Sequence, residues 1–142
     1  MQVKDIMSRD VVSVSPDEST AVAARMLGNH NIGSLPVCSA DGTLRGVVTD
    51  RDIALRCVAA AKNPDKTPVR EIMTSRVISV APGDDADQAA RLMAEEQVRR
   101  LPVAEGGHVV GMLALGDLSV RRSFQMEASE CLSEISKNIS HR

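Results

Sequence analysis

Short apolar runs and amphipathic stretches alternate along this chain in an order that repeats. Val11-Val12-Ser13-Val14 is a short β-branched run and predicts a strand. Ser15-Pro16-Asp17-Glu18 has the form of a capping box, with Ser at the cap, Pro at the first helical position and Glu at the third. It predicts a helix running to about Asn29, with Ala23, Met26, Leu27 and His30 on one face. Leu35-Pro36-Val37-Cys38 predicts a strand with Pro near its start, where a missing donor is tolerated. Asp41-Gly42 predicts a hairpin turn, and residues 44–49 the return strand, so apolar that it is expected to be buried. A helix is expected from about Asp50 through Ile53, Leu55 and Val58, and residues 61–68, with Pro64 and Pro68, read as a linker.

The same order then returns. Asp5-Ile6-Met7-Ser8 matches Glu71-Ile72-Met73-Thr74, Val11-Val12-Ser13-Val14 matches Val77-Ile78-Ser79-Val80, and Leu35-Pro36-Val37 matches Leu101-Pro102-Val103, all at an offset of 66 residues. After a one-residue deletion in a turn the offset is 65, and Gly46, Asp52 and Arg56 match Gly111, Asp117 and Arg121. The second copy puts Ala81 where Ser15 stands, so its helix start is weaker, although Asp84 and Asp85 still favour the helix dipole. The expected fold class is α+β (mixed α/β): two β-α-β-β-α units, pseudo-twofold related and packed through their sheets. A single unit of about 60 residues buries only about 60% of its surface, a shortfall that packing two units together makes good. A cleft between two such halves is a natural ligand site.

Composition narrows the function. The chain has no Trp, no Tyr and a single Phe, Phe124, so any bound base would sit among aliphatic side chains. The formal net charge is −2 and there is no basic stripe, which argues against nucleic acid. No apolar run reaches the roughly 18 residues of a membrane span, and the N-terminus lacks a signal-peptide core. Cys38, Cys57 and Cys131 are odd in number and widely spaced, without a CxxC pair, and read as reduced thiols rather than disulfides or metal ligands. His30, His108 and His141 have no metal-ligand spacing, and no catalytic constellation is visible. A cytoplasmic protein that is not an enzyme and needs no metal or cofactor is expected.

The ordered pattern of (D/E)-I-M-(S/T), strand, Pro, helix, L-P-V, hairpin and G-x-x-T-x-x-D resembles the cystathionine-β-synthase (CBS) domain, here as a tandem pair or Bateman module over residues 3–122. Expected boundaries are residues 1–62 for the first domain, 63–68 for the linker, 69–122 for the second domain and 123–142 for a C-terminal tail. The resemblance implies an adenine nucleotide, S-adenosylmethionine or NAD(H) in a cleft between domains. It assigns the ribose to the Asp, and the phosphate or ribose to the Thr, of Gly46-Val47-Val48-Thr49-Asp50-Arg51-Asp52. The chemistry fits. A carboxylate in the first turn of a helix can accept both hydrogen bonds of a vicinal diol, a hydroxyl and free amides suit phosphate, and Gly46 allows close approach.

By the same resemblance, Ser75, Arg76, Val77 and Ile78 line the base, and Val98, Arg99, Arg100 and Pro102 complete that site, the two arginines as an anion clamp. The second copy reads Gly111-Met112-Leu113-Ala114-Leu115-Gly116-Asp117, keeping the acid and losing the hydroxyl. Its weaker site is expected to use Asp117 with Val12, Ile32, Gly33, Ser34 and Pro36. Blander readings stand beside these. Asp52 and Asp117 also read as helix-start acids, Thr49 as an N-cap, and Arg99-Arg100 as a solvated pair.

Ala128, Cys131, Leu132, Ile135 and Ile139 predict an amphipathic C-terminal helix, and the resemblance implies a homodimer. The leading expectation is a regulatory pair that senses an adenine nucleotide and relays it to an unknown downstream protein. The alternative is a degenerate pair acting as a dimeric interaction or stress protein without nucleotide.

Overall fold

The structure is a computed structural model, and it describes residues 1–119 together with Leu132 and Ile135. The described elements are α1 (Thr20–His30), β1 (Ser34–Cys38), β2 (Leu44–Thr49), α2 (Asp50–Asp52), α3 (Ala86–Glu96), β3 (Arg100–Glu105), β4 (His108–Ala114) and α4 (Leu115–Ser119). Helix and antiparallel sheet are mixed in each copy, as the pattern predicts. α2 runs on without interruption into a π-helical turn, Ile53–Val58. Single 3-10 turns form at Val3–Asp5 and Val69–Glu71.

The chain divides into two compact units that do not follow the repeat. One is Val12–Val77; the other joins Met1–Val11 to the chain from Ile78 onward. Each unit therefore holds the strands and helices of one copy and the leading segment of the other. In the unit Val12–Val77, the backbone N–H groups of Val69 and Arg70 donate to the carbonyls of Glu18 and Pro16, and Thr74 exchanges two 2.9 Å bonds with Val47. In the other unit, Val3 and Lys4 donate to Asp84 and Pro82, and Ser8 pairs with Met112 at 2.8 and 2.9 Å.

Both cores repeat this exchange. Val69 and Ile72, fully buried, pack with Val14, Ala23, Leu27, Leu35, Val37, Val48 and Cys57. Val3, fully buried, packs with Val80, Ala89, Ala90, Met93, Leu101, Val103 and Leu113. Burying one such Val, Leu or Ile side chain is worth about 1.5–3 kcal/mol, so each leading segment is held by its apolar residues as well as by backbone bonds.

Three sequence expectations change. First, the strands expected at residues 11–14 and 77–80 shrink to single parallel bridges, Val14 with Val37 and Val80 with Val103. Val14 donates to Pro36 O and accepts from Cys38 N. One step earlier in such a ladder, Val12 would need an N–H from Pro36, which has none. Pro102 stops the second copy in the same way.

Second, α1 begins at Thr20, with Ser19 as its cap accepting from Val22 N at 3.2 Å. The expected box at Ser15 closes a turn instead, with Glu18 N donating to Ser15 O, while the Pro16 and Glu18 carbonyls serve the leading segment. Third, β2 and β4 are not buried throughout. Gly46 and Val48 are inside, as are Gly111 and Leu113, and the alternate positions are more open, as a strand with one covered face requires.

The hairpins follow the turn chemistry. Gly42 and the pair Gly106-Gly107 all have positive φ, and both copies carry a bulge, at Val37/Cys38 and at Val103/Ala104. Of the predicted C-terminal helix, only Leu132 and Ile135 fall among the described residues. Both are helical, and Ile135 is buried.

Candidate functional site

In the unit Val12–Val77, the end of β2 turns directly into α2, which puts Thr49 at the cap and Asp52 at the third helical position. Their side chains form a complete capping box. Asp52 N donates to Thr49 Oγ1 at 3.0 Å, and Thr49 N donates to Asp52 Oδ2 at 3.0 Å. Asp52 is only 8% exposed. A further donor comes from the second copy's leading segment: Thr74 Oγ1 lies 3.2 Å from Oδ1 and 3.3 Å from Oδ2 of Asp52. The Arg56 guanidinium stands 3.9 Å from Oδ1 and donates to the carbonyls of Ile72 and Met73. Asp52 thus caps a helix and faces a hydroxyl at once. A carboxylate has about four acceptor positions; Thr49 N and Thr74 Oγ1 each take one and Arg56 at 3.9 Å makes an ion pair without a hydrogen bond, which leaves about two for a diol.

The sequence reading missed Thr74 as a site residue, although the repeat carries the signal. Both copies of the (D/E)-I-M motif end in a hydroxyl residue, Ser8 and Thr74. The close approach that Gly46 permits is made by the chain itself. A β-carbon there would stand 2.7 Å from Thr74 O and 2.9 Å from Met73 Sδ.

Ser75, Arg76 and Val77 follow Thr74 in the same unit, Ser75 and Arg76 exposed and Val77 half-buried. Arg51 is exposed, and its N–H donates to Asp50 Oδ1. Ser34 pairs with Thr49 across the hairpin, and Gly33 O accepts from Asp50 N at 3.0 Å. Pro36 is buried in β1, and Val12 and Ile32 pack partly buried against this unit's core. Of the residues expected to serve Asp117, Gly33, Ser34 and Pro36 therefore pair, within their unit, with the acid-bearing segment of their own copy.

The other unit repeats this arrangement with differences. Ala114 N donates to Asp117 Oδ2 at 2.8 Å, so half of the capping box survives without the Thr hydroxyl. Arg100 pairs with Ala114, and Arg99 O accepts from Leu115 N at 2.8 Å. Arg99 is exposed and Arg100 half-buried; Pro102 is buried in β3, and Val98 and Ile78 pack partly buried on this unit's core. Ser8 Oγ, in the place of Thr74, accepts from Asp10 N at 3.3 Å. A shallow pocket of about 330 Å³ between α3 and residues 79–84 of this unit includes none of the predicted site residues.

Among the described residues, no group of three or more His, Cys, Asp or Glu side chains could hold a metal ion, and no helix is long and apolar enough to cross a membrane. Of the thiols, Cys57 is fully buried. Burial pushes the half-buried Cys38 above the ordinary thiol range, and a hydrogen bond with the Ser13 side chain partly opposes it.

Known proteins place these features. The chain is 40% identical over 139 residues to the CBS domain-containing protein YhcV of Bacillus subtilis, covering 98% of each. A crystal structure of Hypoxic Response Protein I with two coordinated zinc ions superposes with a TM-score of 0.78 at 31% identity, covering 85% of this chain and 98% of that one. The CBS domain pair of protein MJ0100, in complex with 5′-methylthioadenosine and S-adenosyl-L-methionine, superposes with a TM-score of 0.71 at 34% identity, covering 84% and 94%. The CBS domain family matches residues 3–58 and again 69–121. With its repeat, its paired hairpins and its two acid-bearing helix starts, the chain belongs to the CBS-domain family, as a tandem pair.

Proposed function

We propose that this CBS pair is a regulatory module that binds an adenine nucleotide through Asp52 and reports its occupancy to another protein, working as a homodimer. The observation that carries this reading is the Asp52 carboxylate. It is buried, oriented by Thr49 N and Thr74 Oγ1, and retains acceptor capacity. A vicinal diol offers two donors to such a group. The MJ0100 pair supports the ligand class, since both of its ligands carry an adenosyl group. Ligand binding shifts the protein only by its differential affinity for two conformations, so the output requires an arrangement that the bound nucleotide favours.

Calorimetric titration with AMP, ADP, ATP, S-adenosylmethionine, 5′-methylthioadenosine and NADH tests the reading, repeated on Asp52→Asn. Binding of at least one ligand, weakened tenfold or more in the variant, is expected from loss of a charge-assisted pair worth about 1.5–3 kcal/mol. No heat with any ligand overturns the sensor. Undiminished binding to Asp52→Asn overturns the site.

One observation favours a second reading, a pair that acts by protein contact alone. Thr49 N, Thr74 Oγ1 and Arg56 already surround Asp52, which is what a purely structural cap needs. The same titration separates the two.

A further inference from the structure

We propose that Thr74 is a positioning residue for the Asp52 carboxylate and, through it, sets how strictly this site reads a ribose diol; this rests on Asp52 being the ribose acceptor.

Thr74 has little freedom. Its N–H and C=O are both bonded to Val47 at 2.9 Å, and its carbonyl is pressed against Gly46. A β-branched side chain on a fixed backbone has few rotamers, so the hydroxyl is held where it is. From there it reaches both oxygens of Asp52, at 3.2 and 3.3 Å, while Thr49 N holds Oδ2 at 3.0 Å. Two donors on separate segments define the plane of the carboxylate better than one. The repeat supplies the contrast. Asp117 accepts from Ala114 N, and Ser8 turns its hydroxyl to Asp10 N. The two acids occupy equivalent positions, but only Asp52 is bracketed by the exchanged segment. A carboxylate held in one orientation loses a full hydrogen bond when one diol hydroxyl is missing, whereas a rotatable one readjusts.

The test compares wild type, Thr74→Ser and Thr74→Val in calorimetric titrations with AMP and 2′-deoxy-AMP. Hydrogen exchange of the Thr49 and Val47 amides in the ligand-free protein is measured alongside. Wild type and Thr74→Ser are expected to prefer AMP about tenfold, the value of one hydrogen bond to a charged group. Thr74→Val should lose most of that preference and speed exchange at Thr49 about tenfold, leaving Val47 unchanged. A Thr74→Val protein that keeps both the preference and the Thr49 protection overturns the proposal. So does equal loosening at Val47, which marks a disturbed backbone. If wild type binds neither compound, AMP is excluded as the ligand while the wider ligand panel still decides the nucleotide reading, and unchanged Thr49 exchange in Thr74→Val then overturns the positioning role.

Discussion

Thr74 O lies 2.7 Å from the point where a β-carbon on Gly46 would stand, and Ser8 O lies 2.8 Å from the same point on Gly111. These contacts join each sheet to the leading segment from the other copy, and a methyl group fits neither. Gly46→Ala and Gly111→Ala should each destabilise the protein by about 1–3 kcal/mol, the cost of overpacking. Gly28 in α1 has nothing within 4 Å of its β-carbon position. Gly28→Ala should stabilise by about 0.5–1 kcal/mol. Thermal or urea unfolding of the three variants checks both signs. Unchanged stability in Gly46→Ala and Gly111→Ala would show that the close approach is relieved at no cost.

The two helix starts offer a paired experiment. Thr49 supplies the hydroxyl of a complete capping box, whereas Ala114 leaves its box half made. Thr49→Ala should cost about 1 kcal/mol, and Ala114→Thr, which restores an acceptor for Asp117 N, should gain up to about 1 kcal/mol. Denaturant titration decides it. A loss on Ala114→Thr refutes the equivalence of the two starts.

Both long helices end on a residue in the left-handed region, Asn31 at φ 52° and Gln97 at φ 58°. Glycine is at ease there and Gln is not. Gln97→Gly should raise stability by about 0.5–1 kcal/mol, and Asn31→Gly by less, since Asn tolerates this region. The ordering of the two gains in melting temperature is the measurement.

Cys38 gives a pH-dependent prediction. Burial raises its thiol pKa and Ser13 partly opposes the shift. The thiolate is the nucleophile, so Cys38 should alkylate more slowly near neutral pH than an exposed cysteine. Ser13→Ala removes the opposing hydrogen bond and should shift the rate–pH profile further up. A folded pKa above the unfolded one means the contribution to stability is complete below the unfolded thiol value, about 8.5, and is lost as pH rises through the folded value. Iodoacetamide labelling of Cys38 across pH 7–10, resolved by peptide mass, tests it; a faster Ser13→Ala reverses the assignment.

Much of this molecule is legible in its residues because its signals are local. Hairpins form at Asp41-Gly42 and Gly106-Gly107 because glycine there takes positive φ. Amphipathic spacing puts Ala23 and Leu27 inside α1. The G-x-x-T-x-x-D segment places Asp52 one helical turn after Thr49. Other features depend on distant partners. The capping box at Ser15 is sound as a local pattern, but α1 starts later because Val69 and Arg70 take up the carbonyls of Glu18 and Pro16. The first strand of each copy ends at one bridge for want of an N–H on Pro36 and Pro102.

The duplicated α+β unit, its hairpins and helices, and the acid that each copy carries at a helix start follow from the residues alone, since periodicity, turn residues and caps act over a few positions. It took the folded chain to show that each unit is closed by the other copy's leading segment, and that Thr74 thereby faces Asp52 while Ser8 bonds to Asp10 N. The contacts that close each unit and bring Thr74 to Asp52 join residues far apart in the chain, where backbone bonds, a missing β-carbon and buried Val3, Val69 and Ile72 act together. No local pattern encodes such a combination.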